Sequence, residues 1–158
     1  MDVNTKLPDA TFGVMTPEGP GQMTTAEVFG GKTVALIAVP GAFTPTCWAK
    51  HLPGFVAHAE ALKAKGVDRI ACVSVNDVFV MDAWGKDQNA NDAVLMLADG
   101  NGDFTKAIGM ELDASGFGMG PRSQRYSLLA EDGVVKHFNL DAGGGFQTSS
   151  AEHMLSQL

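Results

Sequence analysis

The seven residues Thr33 to Val39 (TVALIAV) form a continuous apolar run closed by Pro40-Gly41, the pattern of a strand buried on both faces. Arg69–Val75 (RIACVSV) and Ala93–Asp99 (AVLMLAD) repeat it. Between the first two runs, Leu52, Phe55, Val56, Ala59 and Leu62 fall at helical spacing, and Gly66 closes that helix. Thr44 suits its N-cap and Pro45 its first helical position. Pro53 lies inside the helix and predicts a kink, because it cannot bond the carbonyl of residue 49. DVFVMDAWGKDQ, capped by Asn76 or Asp77, predicts the next helix, and DFTKAIGM a short one after the third strand. RYSLLAEDGVVKHFNL reads as a hairpin around Asp132-Gly133, and SSAEHMLSQL as a final helix with Ser149 and Glu152 at capping-box spacing. Upstream, TTAEVFGGK predicts a short helix boxed by Thr24 and Glu27 and stopped by Gly30. The residues before about Met23 read as a short hairpin or extended lead-in punctuated by Pro8, Pro17 and Pro20.

Strands alternating with helices imply parallel crossovers, and the closing hairpin adds antiparallel strands. The expected fold class is therefore α/β: a thioredoxin-like fold with a mixed central sheet and helices on both faces. It is expected as a single domain over residues 1–158, long enough to bury roughly two-thirds of its unfolded surface. No repeat or linker interrupts it. The richest glycine patch, DAGGGF (Asp141–Phe146), is a candidate mobile loop.

Composition narrows the partners. The net charge of −7 argues against nucleic acid and anionic membrane, both of which need a basic footprint. No stretch approaches the ~18–20 apolar residues of a membrane span. MDVNTKLPDATF has neither a basic start nor an apolar core, so no signal peptide is expected. Two cysteines make no secreted disulfide framework, and the expected location is the reducing cytoplasm.

One of those cysteines is placed where chemistry is favoured. With Thr44 as N-cap, Cys47 becomes the third residue of a helix that follows the first buried strand. Free backbone N–H groups and the positive end of the helix dipole favour a thiolate there. The location also obeys the rule that sites in open α/β sheets lie beyond the carboxyl ends of strands. The alternative is a small buried hydrophobe in the first turn. Cys72 lies mid-strand, about three residues from the strand's end, hence roughly 10 Å below the loop face. A direct bridge needs Cα atoms within about 7 Å, so Cys47 and Cys72 should not pair without local unfolding. Cys72 reads as a core residue, with a resolving cysteine as the alternative.

A thiolate needs a cation, and Arg122 and Arg125 stand in PRSQRYSLL at the start of a predicted strand. Arg125, beside Tyr126, is the one expected to point inward; both as surface charges is the other reading. His51 follows Cys47 by four residues, on the same helix face, and is expected to hydrogen-bond or pack, with a general base or half a metal site as the alternatives. A Cys-x3-His pair is not a zinc site without further ligands, and His58, His137 and His153 do not cluster with it, so no metal is expected.

The segment PGAFTPTCWAKHLPGF resembles the peroxiredoxins and, within them, the type II (type five) subfamily. The family signature Pro-x-x-x-Thr-x-x-Cys stands here as Pro40, Thr44 and Cys47. ALKAKGV, VSVNDVFVMDAWG, RYSLLAEDGVVK and NL before a glycine-rich loop are similar too, in order and over nearly the whole chain. The resemblance implies a thiol peroxidase with no cofactor, acting on hydrogen peroxide and organic hydroperoxides. It makes Cys47 the peroxidatic cysteine and Thr44 the residue that orients the peroxide. It makes Arg125 the stabiliser of thiolate and transition state, and Pro40 the shield of the thiolate from water. Some members carry a resolving cysteine before the last helix; here that region, GGGFQTSSAEHML, has none. Cys72 matches the second cysteine of plant-like members. One-cysteine behaviour is therefore expected, with glutathione and glutaredoxin, or thioredoxin, as reductant. Trp48 departs from the small or polar residue usual there and bears on reductant access. A homodimer is implied, with Phe43, Phe79 and Trp84 as candidate contacts or, equally, core residues. Two other functions compete. A thiol–disulfide oxidoreductase is disfavoured because no Cys-x-x-Cys is present. A non-enzymatic redox sensor or holdase would oxidise once without turnover.

Overall fold

The computed structural model describes residues 1–142 and 145–158, and Cys47 and Trp48 by their backbone only. Among the described residues nine strands form: β1 (Thr11–Thr16), β2 (Gly19–Thr24), β3 (Thr33–Ala38), β4 (Arg69–Ser74), β5 (Leu95–Ala98), β6 (Glu111–Asp113), β7 (Pro121–Ser123), β8 (Arg125–Glu131) and β9 (Val134–Asp141). The helices are α1 (Thr25–Phe29), α2 (Leu52–Ala57), α3 (Ala59–Ala64), α4 (Val78–Asp87), α5 (Asp103–Ala107) and α6 (Ala151–Gln157). Seven strands make one sheet in the order β2-β1-β5-β4-β3-β8-β9. Its centre, β5-β4-β3, is parallel, and β1, β8 and β9 join antiparallel.

The pleat of this sheet separates two cores. Ala35, Ile37 and Val39 face one side together with Ile70, Cys72 and Leu129, under α2, α3, α4 and α6. Val34, Leu36 and Ala38 face the other with Ala71, Val73 and Leu128, under α1 and α5. Because both faces are covered, the central strands read as continuous apolar runs. The mixed sheet with helices on both faces is the architecture the sequence predicts.

Several local expectations are met in detail. Thr24 and Glu27 form both halves of the α1 capping box. Asp77, rather than Asn76, caps α4 by accepting from the Val80 N–H at 2.9 Å. Asp132 (φ 49°) and Gly133 (φ 78°) both take positive φ, as a tight two-residue hairpin turn requires. Three features differ. Helix α6 is capped by Ser150, which accepts from His153 N–H, and not by Ser149, whose side chain is engaged elsewhere. The short ribbon β6–β7 carries no apolar alternation and is invisible to periodicity. The expected kink at Pro53 takes the form of a π-turn, Cys47–His51, directly before α2, and the helix breaks again at His58 before α3. A proline without an N–H at position 53 fits this widened turn, since the carbonyl one turn back has no normal donor. The stretch Asp141–Phe146 includes Gly143 and Gly144, which lie outside the described residues.

Candidate active site

β8 runs antiparallel to β3, so the carboxyl end of β3 lies beside the start of β8, with Ala38 opposite Tyr126. The segment from Val39 to Thr44 leaves the sheet at this point, and helical backbone starts at Pro45. That makes Cys47 the third helical residue, as the sequence predicts; its side chain lies outside the described residues. The segment is held from several directions. The Thr44 hydroxyl donates to the Gly41 carbonyl at 2.7 Å. The Ala42 N–H donates to Asn76 Oδ1 at 3.0 Å, which ties the segment to the end of β4. Arg122 donates through Nε to the Met119 carbonyl at 3.0 Å and through Nη1 to the Pro40 carbonyl at 3.4 Å. Gly41 lets Arg122 come this close: a Cβ there would sit 2.8 Å from Arg122 Nη1 and 3.1 Å from Thr44 Cγ2, so the guanidinium would have to shift. Pro40 itself is half-buried.

Arg125 is buried at the first position of β8. It shares the parity of Ser127 and Leu129, so the pleat aims it at the face covered by α2 and α3. Its Nη1 donates to His51 Nδ1 at 2.8 Å. His51, the last residue of the π-turn, is fully buried, and its ring meets Phe55 and Phe146 edge-on. A guanidinium can only donate, so Nδ1 is the acceptor and the proton sits on Nε2, which donates to the Ser149 carbonyl at 2.9 Å. Burial, and then the Arg125 charge, push the His51 pKa down to about 3, against the opposing pull of the Ser149 bond and Asp141. The imidazole is neutral at any physiological pH.

Asp141 stands opposite Arg125 in the β8–β9 register. Its carboxylate accepts from the backbone N–H groups of Gln147, Thr148 and Ser149 and from the hydroxyls of Thr148 and Ser149, at 2.6–3.0 Å. Burial alone would raise its pKa, but the Ser149 hydroxyl and these N–H groups outweigh it and hold the carboxyl well below the ordinary range. A continuous chain of bonds thus runs from Arg125 through His51 and Ser149 to Asp141.

Thr44, Pro40 and Arg125, all named from sequence, therefore flank the start of the helix that carries Cys47. Cys72 does not join them. It is fully buried in the middle of β4, between Ile37 and Met96. His51 has the hydrogen-bonding role expected of it. Asn76, Arg122, Asp141 and Ser149 were not singled out, or not for these contacts. The Asn76–Ala42, Arg122–Pro40 and Ser149–His51 contacts span 34, 82 and 98 residues of chain, beyond the reach of periodicity, and Asp141 gathers its partners from the loop 6 to 8 residues further on. A cavity of about 620 Å³ opens elsewhere, between β1, α4 and β5, and no candidate site residue lines it. Among the described residues, no three His, Cys, Asp or Glu side chains converge as metal ligands would.

A helix thus starts beyond the carboxyl end of β3, and the buried Arg125 guanidinium stands on the neighbouring strand. The Redoxin family model matches residues 2–155. Among curated proteins, the chain is 52% identical to Peroxiredoxin-2E, chloroplastic, of Arabidopsis thaliana, over 100% of this chain and 69% of that protein. It is 42% identical to the hybrid peroxiredoxin hyPrx5 of Haemophilus influenzae, over 97% of this chain and 64% of that protein. Among solved structures, reduced Prx3 from Vibrio vulnificus in complex with hydrogen peroxide superposes with a TM-score of 0.95 at 52% identity, covering 99% of this chain and 98% of that one. The chain belongs to the peroxiredoxins, in the redoxin family. It is accordingly a thiol-dependent peroxidase, an oxidoreductase that reduces peroxides at the expense of thiols.

Proposed function

We propose that Cys47 is the peroxidatic residue, and that its thiolate reduces hydrogen peroxide and organic hydroperoxides. The observation that carries this reading is the buried Arg125 guanidinium, held beside the loop from which the Cys47 helix starts. It adds a fixed positive charge to the partial charge of the helix N-terminus, and both favour thiolate over thiol. The sulfur attacks the terminal peroxide oxygen. The S–O bond forms as the O–O bond breaks, and the alkoxide or hydroxide that leaves takes a proton from solvent. Sulfur is oxidised by two electrons to sulfenic acid, and the peroxide is reduced to alcohol or water. Arg125 receives the charge that moves onto the leaving oxygen, a preorganised electrostatic contribution, and the Thr44 hydroxyl adds a second donor when its proton turns from the Gly41 carbonyl to the peroxide. Pro40 closes one side of the site against water. The Vibrio vulnificus relative solved with hydrogen peroxide supports the same substrate class.

A first external thiol then attacks the sulfenic sulfur, releasing water and leaving a mixed disulfide, and a second thiol restores Cys47. Glutathione with glutaredoxin, or thioredoxin, is the reductant proposed. Complete burial of Cys72 inside β4 supports an external donor over an internal one. A homodimer is also proposed: Phe43 is 48% and Phe79 64% exposed, whereas Trp84 is fully buried and packs beneath Phe43.

Cys47→Ser and Cys72→Ser, assayed with each reductant system, test the assignment. Loss of peroxide consumption in the first and near-normal turnover in the second is expected. Equal loss in both would make Cys72 a participant. A single stoichiometric oxidation without turnover would favour a redox sensor.

A further inference from the structure

We infer that His51 is a positioning residue for the Arg125 guanidinium, holding it in place by a neutral acceptor so that its positive charge stays available to the reacting sulfur and peroxide. This rests on the role proposed above for Arg125.

A buried arginine is usually oriented by a carboxylate, which binds two of its donors but cancels its field. A carboxylate is at hand, because Asp141 pairs with Arg125 in the hairpin register. Both Asp141 oxygens are instead saturated by Gln147, Thr148 and Ser149. The group found at Arg125 Nη1 is the imidazole of His51, at 2.8 Å. An uncharged acceptor fixes the direction of the fork without neutralising it. The imidazole cannot swing away, because Nε2–H is anchored on the Ser149 carbonyl and the ring is packed against Phe55 and Phe146. Both tautomeric roles are therefore assigned by fixed partners: Nδ1 to the guanidinium, Nε2 to the loop. His51 also lies in the same π-turn as Cys47, so the segment that carries the nucleophile carries the clamp on its cation.

The two ring nitrogens can be separated by isosteres. Asparagine places an acceptor where Nδ1 stands and lacks the reach to Ser149. Glutamine places a donor where Nε2 stands and offers no acceptor at Nδ1. His51→Asn, His51→Gln, His51→Ala, Arg125→Ala and the double variant His51→Ala/Arg125→Ala are prepared in the full chain, with folding checked by circular dichroism and thermal melting. Two quantities are read: the rate constant of Cys47 oxidation by hydrogen peroxide, and the thiolate titration followed by ultraviolet absorbance or alkylation rate. His51→Gln and His51→Ala are expected to slow oxidation roughly tenfold to a hundredfold and to move the titration to higher pH, as loss of a hydrogen bond to a charged group implies. His51→Asn is expected to retain both properties to within a few-fold, and the double variant to be no slower than Arg125→Ala.

The inference is overturned if glutamine rescues and asparagine does not, since the loop anchor would then be what matters. It is overturned equally if all three His51 variants behave as the unaltered protein, or if His51→Ala slows the Arg125→Ala background as much as it slows the parent. If Arg125→Ala itself leaves the titration and rate unchanged, the role of Arg125 falls first and the clamp with it.

Discussion

At Arg125 and His51 two basic side chains meet inside the protein, 2.8 Å apart, and only one carries charge. The consequence for stability has a definite sign. Folding lowers the His51 pKa from its ordinary 6.5 to about 3. Between those values the unfolded chain binds a proton that the folded chain does not, so stability rises with pH across this window and is lost as pH falls through it. The slope from this group alone approaches about 1.4 kcal/mol per pH unit midway through the window. Urea unfolding from pH 7.5 down to pH 4.5 should show it, and His51→Asn should flatten the curve; an unaltered pH dependence in that variant would remove His51 as its source. Arg125 was legible as the inward-facing arginine from its place beside Tyr126. Its partner was not, because the two lie 74 residues apart and meet only when β8 and the π-turn are stacked on one face of the sheet.

Among the elements, the hairpin β8–β9 does most to shape the site. A two-residue turn at Asp132-Gly133 would by simple counting put Leu140 opposite Arg125. A register irregularity between Leu129 and Ala130 shifts the pairing by one residue and puts Asp141 there instead. The sequence announced the hairpin and its turn, but nothing local in VVKHFNL marks the bulge, so Asp141 was not singled out for this contact. The same shift explains the cap of α6. Ser149 is drawn to Asp141 through both its N–H and its hydroxyl, and the cap falls to Ser150. Asp141→Asn would turn one acceptor oxygen into a donor facing N–H and O–H groups. A loss of about 2 kcal/mol is expected, a fall in melting temperature of roughly 4–8 °C. Differential scanning calorimetry measures it, and hydrogen exchange should show faster opening of residues 147–149. A melting temperature unchanged by Asp141→Asn would mean that the carboxylate network contributes nothing net.

Over the whole molecule, the runs Thr33–Val39 and Arg69–Val75 disclosed the sheet centre because covered parallel strands admit few polar residues. The sequence left open whether Phe43, Phe79 and Trp84 were surface or core. Folding divides them: two aromatic rings remain in water near the end of the sheet where Cys47 lies, and the third is sealed below. Sedimentation velocity should therefore find a dimer of the unaltered chain at micromolar concentration, and Phe79→Ser should shift it toward monomer. A sharp monomer at all concentrations would refute the proposed association. The π-turn at Cys47–His51 ties this end of the molecule to a fixed residue count. An ordinary helix can lose a residue by sliding along its axis, but each residue removed also rotates what precedes it by about 100°. A one-residue deletion here would wind the coil back into ordinary pitch and leave the segment from Pro40 to Thr44 out of phase with α2. At its exposed positions, Ala49 and Lys50, this stretch should therefore tolerate exchange of side chains far better than any change in its length.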